Sequence, residues 1–170
     1  MKNILLISDG IPGHFNQSKG VASILSKTHP SNIHLTELSF KIHQLRGPIT
    51  VFSRILMRLP NKLTANLVSF MYSSIETNGI DLIIAAGGKT DPYSATIKVL
   101  NNIPVIQLGS PRGLHSSLFN ALVTVERYYE DSSNIIASIT PNLYSPEICL
   151  KAATEKNLSE HLLFLIGGEG

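Results

Sequence analysis

One cysteine in 170 residues, Cys149, excludes an internal disulfide, fits a reducing compartment and reads as a small buried apolar side chain. Strong charge is missing too. The formal net charge is +2, with no arginine-rich tract and no interleaving of aromatic and basic residues, so no nucleic-acid partner is expected. The six histidines have neither zincin nor zinc-finger spacing, so no metal site is expected. The N-terminal apolar run Ile4-Leu5-Leu6-Ile7 is too short for a signal segment or a bilayer span and reads as a buried first strand of a cytoplasmic protein. Internal repeats and low-complexity tracts are absent. A 43% hydrophobic and 15% charged composition excludes disorder, and the length suits one α/β domain with its own core.

What is present is an alternation. Val/Ile/Leu-rich runs predict strands over residues 2–8, 32–38, 80–86, 104–109, 119–125 and 134–139. Between them, helices are predicted over 17–28, 92–101 and 145–156, with Pro92 in a first turn where its missing N–H costs nothing. Near-continuous apolar strands alternating with helices imply an α/β fold, a Rossmann-like parallel sheet covered by helices on both faces. A last apolar run, 160–166, leads into Gly167-Gly168-Glu169-Gly170. The expectation is therefore one domain over 1–160, with 161–170 as the first strand and glycine loop of a second.

Two strand-to-helix loops carry the functional signal. The first is Ser8-Asp9-Gly10-Ile11-Pro12-Gly13-His14-Phe15-Asn16-Gln17, with Asn16 or Ser18 as the expected helix cap. His14 beside a helix N-terminus reads as a neutral imidazole able to act as general base toward a hydroxyl. The second is Gly87-Gly88-Lys89-Thr90-Asp91. Ile83 stands where a nucleotide-binding P-loop needs its first glycine, so what remains is a tight nest suited to a phosphate, with Lys89 as point charge and Thr90 or Asp91 as cap. A third loop after 104–109 brings Arg112, and Glu126 follows the next strand as an acid/base or interface candidate. No tyrosine has a lysine four residues later, which excludes a short-chain NAD-dependent epimerase.

Residues 41–62 depart from this pattern. They hold Lys41, Arg46, Arg54, Arg58 and Lys62, five of the 14 basic residues, and none of the 12 acids. Helical spacing over 48–59 sets Phe52, Met57 and other apolar side chains beside Arg54 and Arg58. An apolar face rimmed by cations suits an interfacial membrane helix, and Arg46, Phe52, Arg54, Met57 and Arg58 form the expected patch. A core helix with a basic outer face is the competing reading.

The first loop, the Gly87-Gly88-Lys89-Thr90 turn with Pro92 and Ser94, the Gln107…Pro111-Arg112 segment and Ile166-Gly167-Gly168 together resemble the "elongated mitochondria" fission-protein family. Its bacterial members are described as nucleoside-diphosphate-sugar enzymes or glycosyltransferases. The resemblance implies the N-terminal, acceptor-binding domain of a two-domain GT-B fold. It puts Gly13 and His14 at the cleft floor near the transferred sugar; from the loops, His14 is the expected catalytic residue and Asp9, Gly10, Gly13, Asn16, Gln17, Gly87, Gly88, Lys89, Thr90 and Arg112 are the expected contacts to substrate or phosphate. Gly167 and Gly168 would begin the donor site. The implied activity is sugar transfer from a nucleotide-sugar co-substrate to a cell-envelope acceptor, without a bound cofactor, in the cytoplasm or at the inner face of its membrane. An epimerase on the same scaffold and a non-catalytic membrane-surface adaptor are the alternatives. A fragment lacking the donor half is expected to be inactive alone.

Overall fold

Lys2–Ser8 forms β1, and its alternate side chains leave on opposite faces: Leu5 and Ile7 on one, Ile4 and Leu6 on the other, all buried. The computed structural model describes residues 1–144 together with Leu150, Lys151, Thr154 and Glu155. The other strands are β2 (Ser31–Glu37), β3 (Leu82–Ala86), β4 (Val105–Leu108), β5 (Ala121–Thr124) and β6 (Asn134–Ile136). They lie in the order β2-β1-β3-β4-β5-β6, and every neighbouring pair is parallel.

Helices cover both faces. On one side α1 (Pro12–Thr28) packs Phe15, Val21, Ala22 and Leu25 against Ile4, Leu6, Ile84, Ala86 and Leu108. On the other, α2 (Arg46–Met57), α3 (Lys62–Met71) and α4 (Asp91–Asn101) bring Met57, Ala65, Val68, Tyr93 and Ala95 onto Leu5, Ile7, Ile83, Ala85 and Val105. Tyr72 joins these helices, its ring 4.7 Å from Phe40 and 4.6 Å from Tyr93. This is the expected Rossmann-like α/β architecture. Strand order reverses between β1 and β3, and the helices that follow them pack on opposite faces of the sheet, α1 on one and α4 on the other, which leaves a crevice beside the carboxyl ends.

Three local expectations need correction. Helix α1 begins at Pro12, five residues earlier than the apolar spacing suggested, because proline's fixed φ suits the first helical position. Asn16 and Ser18 therefore lie inside the helix and do not cap it; the N-cap is Ile11, without a side-chain hydrogen bond. Similarly Thr90, at the N-cap of α4, makes no capping bond, because its hydroxyl donates backwards to the carbonyls of Ala86 (3.1 Å) and Gly87 (2.8 Å). Finally, the 41–62 segment leads into a second helix. Pro60 disfavours helix at Leu59, and Asn61 starts α3 afresh by accepting from the Leu63 and Thr64 amides at 2.8 and 3.0 Å. Thr64 Oγ1 completes the box by accepting from the Asn61 amide.

Leu150, Lys151, Thr154 and Glu155 are helical, in keeping with the helix expected over 145–156. Cys149, the 160–166 run, Gly167 and Gly168 lie outside the described residues.

Candidate functional site at the carboxyl edge of the sheet

Because β1, β3 and β4 are adjacent and parallel, the loops after Ser8, Ala86 and Leu108 emerge at one edge. Between them lies a cavity of about 210 Å³, whose lining includes His14, Gln17, Gly87, Gly88, Ser110, Arg112 and Tyr128. The first two loops touch directly. Gly87 has φ +91°, and a Cβ there would overlap the His14 ring and stand 2.7 Å from Asp9 Oδ2. At Gly88 a Cβ would overlap the Arg112 guanidinium. Gly87 is therefore required, by its positive φ and its close approach to the imidazole, whereas the neighbour at Gly88 is the end of an exposed, flexible arginine that can shift.

His14 is oriented by Asp9. Its Nδ1 is 3.0 Å from Asp9 Oδ2 and 3.1 Å from Oδ1, and the Asp9 side chain is only 1% exposed. An ionised carboxylate can only accept, so Nδ1 carries the proton. In the neutral ring this leaves Nε2 with the lone pair, on a side chain that is 32% exposed and borders the cavity. The Ile11 amide also donates to Asp9 Oδ1 at 3.2 Å, which fixes the carboxylate relative to the start of α1.

The glycine turn is braced from beneath. Gln107 and Ser94 are fully buried, and the Ser94 hydroxyl donates to Gln107 Oε1 at 3.0 Å. Gln107 Nε2 lies 3.4 Å from both the Gly87 carbonyl and Thr90 Oγ1. The third brace is Arg54. Its Nε donates to Asp91 Oδ2 at 2.9 Å, and its Nη2 to Asp91 Oδ1 at 3.2 Å and to the Gly88 carbonyl. Asp91 is fully buried, and burial pushes its carboxyl up to about 7, with Arg54 and Arg112 opposing the shift.

The expected site residues therefore fall into groups. His14, Gln17, Gly87, Gly88 and Arg112 line the cavity, and Asp9 and Thr90 support it from buried positions. Gly10 borders a neighbouring hollow of about 340 Å³ with Phe15, Leu35 and Glu37. Gly13, Asn16 and Lys89 line neither hollow.

The expected membrane patch also divides. Phe52 is half-exposed, and Arg46 and Arg58 are exposed. Met57 is fully buried and Arg54 is turned inward onto Asp91, so neither belongs to the outer face. Leu63, Leu67 and Phe70 of α3, which no sequence signal had marked, are exposed, as are Val51, Phe52 and Ile55 of α2, the helix in contact with α3. No helix among the described residues is long and apolar enough to cross a membrane. Among them no group of three or more His, Cys, Asp or Glu is placed to hold a metal ion.

Ser94, Gln107 and Arg54 were the residues whose support of the site the sequence did not reveal. For Arg54 the only available hint was an acid, Asp91, opening a helix directly behind a glycine turn, since an acid there needs a cation if it is buried.

The model of the family described as Mitochondrial fission ELM1 matches residues 12–170. The chain belongs to the mitochondrial fission ELM1 family. No curated protein matches this ELM1-family chain. Among solved structures it is similar to Acinetobacter baumannii MurG, with 13% identity and a TM-score of 0.48. That likeness covers 81% of this chain, which spans 46% of the length of the MurG chain.

Proposed function

We propose that this chain is the acceptor-binding half of a GT-B-type glycosyltransferase that moves a sugar from a nucleotide-sugar to a cell-envelope acceptor. The observation that carries the reading is the Asp9–His14 pair, held against Gly87 in a crevice that Arg112 also lines. In the proposed reaction the acceptor hydroxyl passes its proton to His14 Nε2 as its oxygen bonds to the anomeric carbon. The bond from that carbon to the nucleoside diphosphate breaks, and the diphosphate leaves with the electron pair. Arg112 and the amides of the glycine turn would stabilise phosphate charge in the crevice.

The test is transfer from a panel of labelled nucleotide-sugars by the full-length protein in the presence of envelope lipid extract. General-base assistance is typically worth about 10²–10⁴ in rate, so His14→Ala should lower turnover by at least about tenfold. Wild-type turnover in that variant overturns the assignment. Sugar inversion without acceptor would indicate an epimerase.

A second observation favours contact with a membrane surface. Helices α2 and α3 expose Val51, Phe52, Ile55, Leu63, Leu67 and Phe70, and the segment carries Lys41, Arg46, Arg58 and Lys62 with no acid from Lys41 to Ile75. Such a surface suits the interface of an anionic bilayer, and it would serve a transferase with a lipid-borne acceptor or an adaptor without catalysis. Vesicle binding together with nucleotide-sugar turnover supports the transferase; vesicle binding without any nucleotide-sugar binding supports the adaptor.

A further inference from the structure

All three carbonyls of the glycine turn are occupied on the protein side. Ala86 O accepts from Thr90 Oγ1 at 3.1 Å, and Gly87 O accepts from the Thr90 hydroxyl and amide at 2.8 and 3.2 Å. Gly88 O accepts from Arg54 Nη2. Arg54 arrives from a neighbouring helix, α2, which packs against α4 on the same side of the sheet, and its side chain is only 15% exposed. The same guanidinium holds the Asp91 carboxyl by two nitrogens, at 2.9 and 3.2 Å. A planar fork thus ties both ends of the segment 88–91 to one rigid group. Among the described residues the Gly88 and Lys89 amides donate to nothing.

A turn with its carbonyls drawn inward presents its amide edges outward, the arrangement that receives an anion. Across that edge lies Arg112, whose guanidinium rests where a Cβ on Gly88 would stand. Asp91 would oppose an anion here if it turned toward the cavity, and Arg54 holds it on the far side. We infer that Arg54 is a positioning residue, which holds the glycine turn so that the Gly88 amide faces a phosphate or diphosphate group held by Arg112 in the His14 cavity. The inference rests on the transferase reading only for the phosphate ligand. It gives Arg54 a role inside the site, in place of the membrane contact its basic neighbours suggested.

Pyrophosphate is the probe. It is titrated into the ¹⁵N-labelled full-length protein, followed by amide shifts, and its affinity is measured by calorimetry for the wild type, Arg112→Ala, Arg54→Lys and Arg54→Gln. The expected result is movement of the Gly88 amide in the wild type. Arg54→Gln should bind at least about tenfold more weakly, and Arg54→Lys, which keeps the charge and loses the fork, should fall between. A purely structural role predicts lower urea midpoints with unchanged affinity in the folded protein, and that result overturns the inference. So does wild-type binding that leaves the Gly88 amide unmoved, an outcome that needs no variant to fold. Absence of any wild-type binding, with Arg112→Ala indistinguishable from it, removes the phosphate site itself and the inference with it.

Discussion

His14 Nδ1 lies 3.0 Å from Asp9 Oδ2, and the pair is pressed against a glycine that has no room for a side chain. The carboxylate chooses the tautomer, and the tautomer decides which nitrogen can take a proton. Asp9→Asn keeps the shape but offers an amide N–H in place of an acceptor, so the neutral ring should move its proton to Nε2. ¹⁵N imidazole shifts should report that exchange directly, and turnover of the full-length protein should drop by at least about tenfold. An unchanged tautomer in the Asp9→Asn protein would contradict the assignment.

Gly87→Ala tests the contact between the loops. The added Cβ would stand 2.7 Å from Asp9 Oδ2 and overlap the His14 ring, at a φ of +91° that alanine tolerates poorly. The expected loss is about 2 kcal/mol or more, equivalent to a fall in Tm of roughly 4–8 °C for a chain of this size. Gly13→Ala is the control: nothing lies within 4 Å of a Cβ there, and the position is helical. It should be neutral or stabilising by up to about 1 kcal/mol. Equal thermal shifts in the two variants would mean that the close approach has been misread.

The Asp91 carboxyl supplies a pH signature. Burial raises it to about 7 in the folded state, from an ordinary value of 3.8. The native protein then binds the proton more tightly than the unfolded chain, so this contribution to stability is fullest below about pH 4 and is lost as pH rises through 7. Urea midpoints of the wild type and Asp91→Asn, compared from pH 4 to 8, should show the wild type losing ground to the variant across that window. Parallel curves would show that Asp91 titrates elsewhere.

Phe52 and Phe70 are 53% and 73% exposed, on α2 and α3, two helices in contact with each other. Replacing both with glutamate should leave the unfolding free energy from urea titration within about 0.5 kcal/mol of wild type, since neither fills the core. The same change should weaken co-sedimentation with vesicles of equal phosphatidylcholine and phosphatidylglycerol at least about tenfold, and high salt should mimic part of the effect. Undiminished sedimentation would exclude these side chains from membrane contact.

The parallel sheet was legible because its strands, buried on both faces, read as unbroken Val/Ile/Leu runs such as Ile4–Ile7 and Ile83–Ala86. The convergence of the His14 and Gly87 loops followed from the same pattern, since adjacent parallel strands deliver their carboxyl ends to one edge. Asn61 and Thr64 have the spacing of a reciprocal cap, a local signal for the start of α3 that is independent of the apolar periodicity of 48–59. Spacing alone could not tell the core side of α2 from its outer side. Arg54 and Arg58, four residues apart, look equivalent in the chain, and one is turned inward onto Asp91 and largely covered while the other is exposed.

Local chemistry determined the elements, their parallel alternation and the glycine turns, because hydrophobic period, proline position and glycine placement act within a few residues. Only the tertiary structure decided that Asp9 faces His14, that Arg54 reaches Asp91 across 37 positions of sequence, and that α3 packs against α2. A buried charge takes its partner from whichever element packs above it, and that choice is made by the fold as a whole.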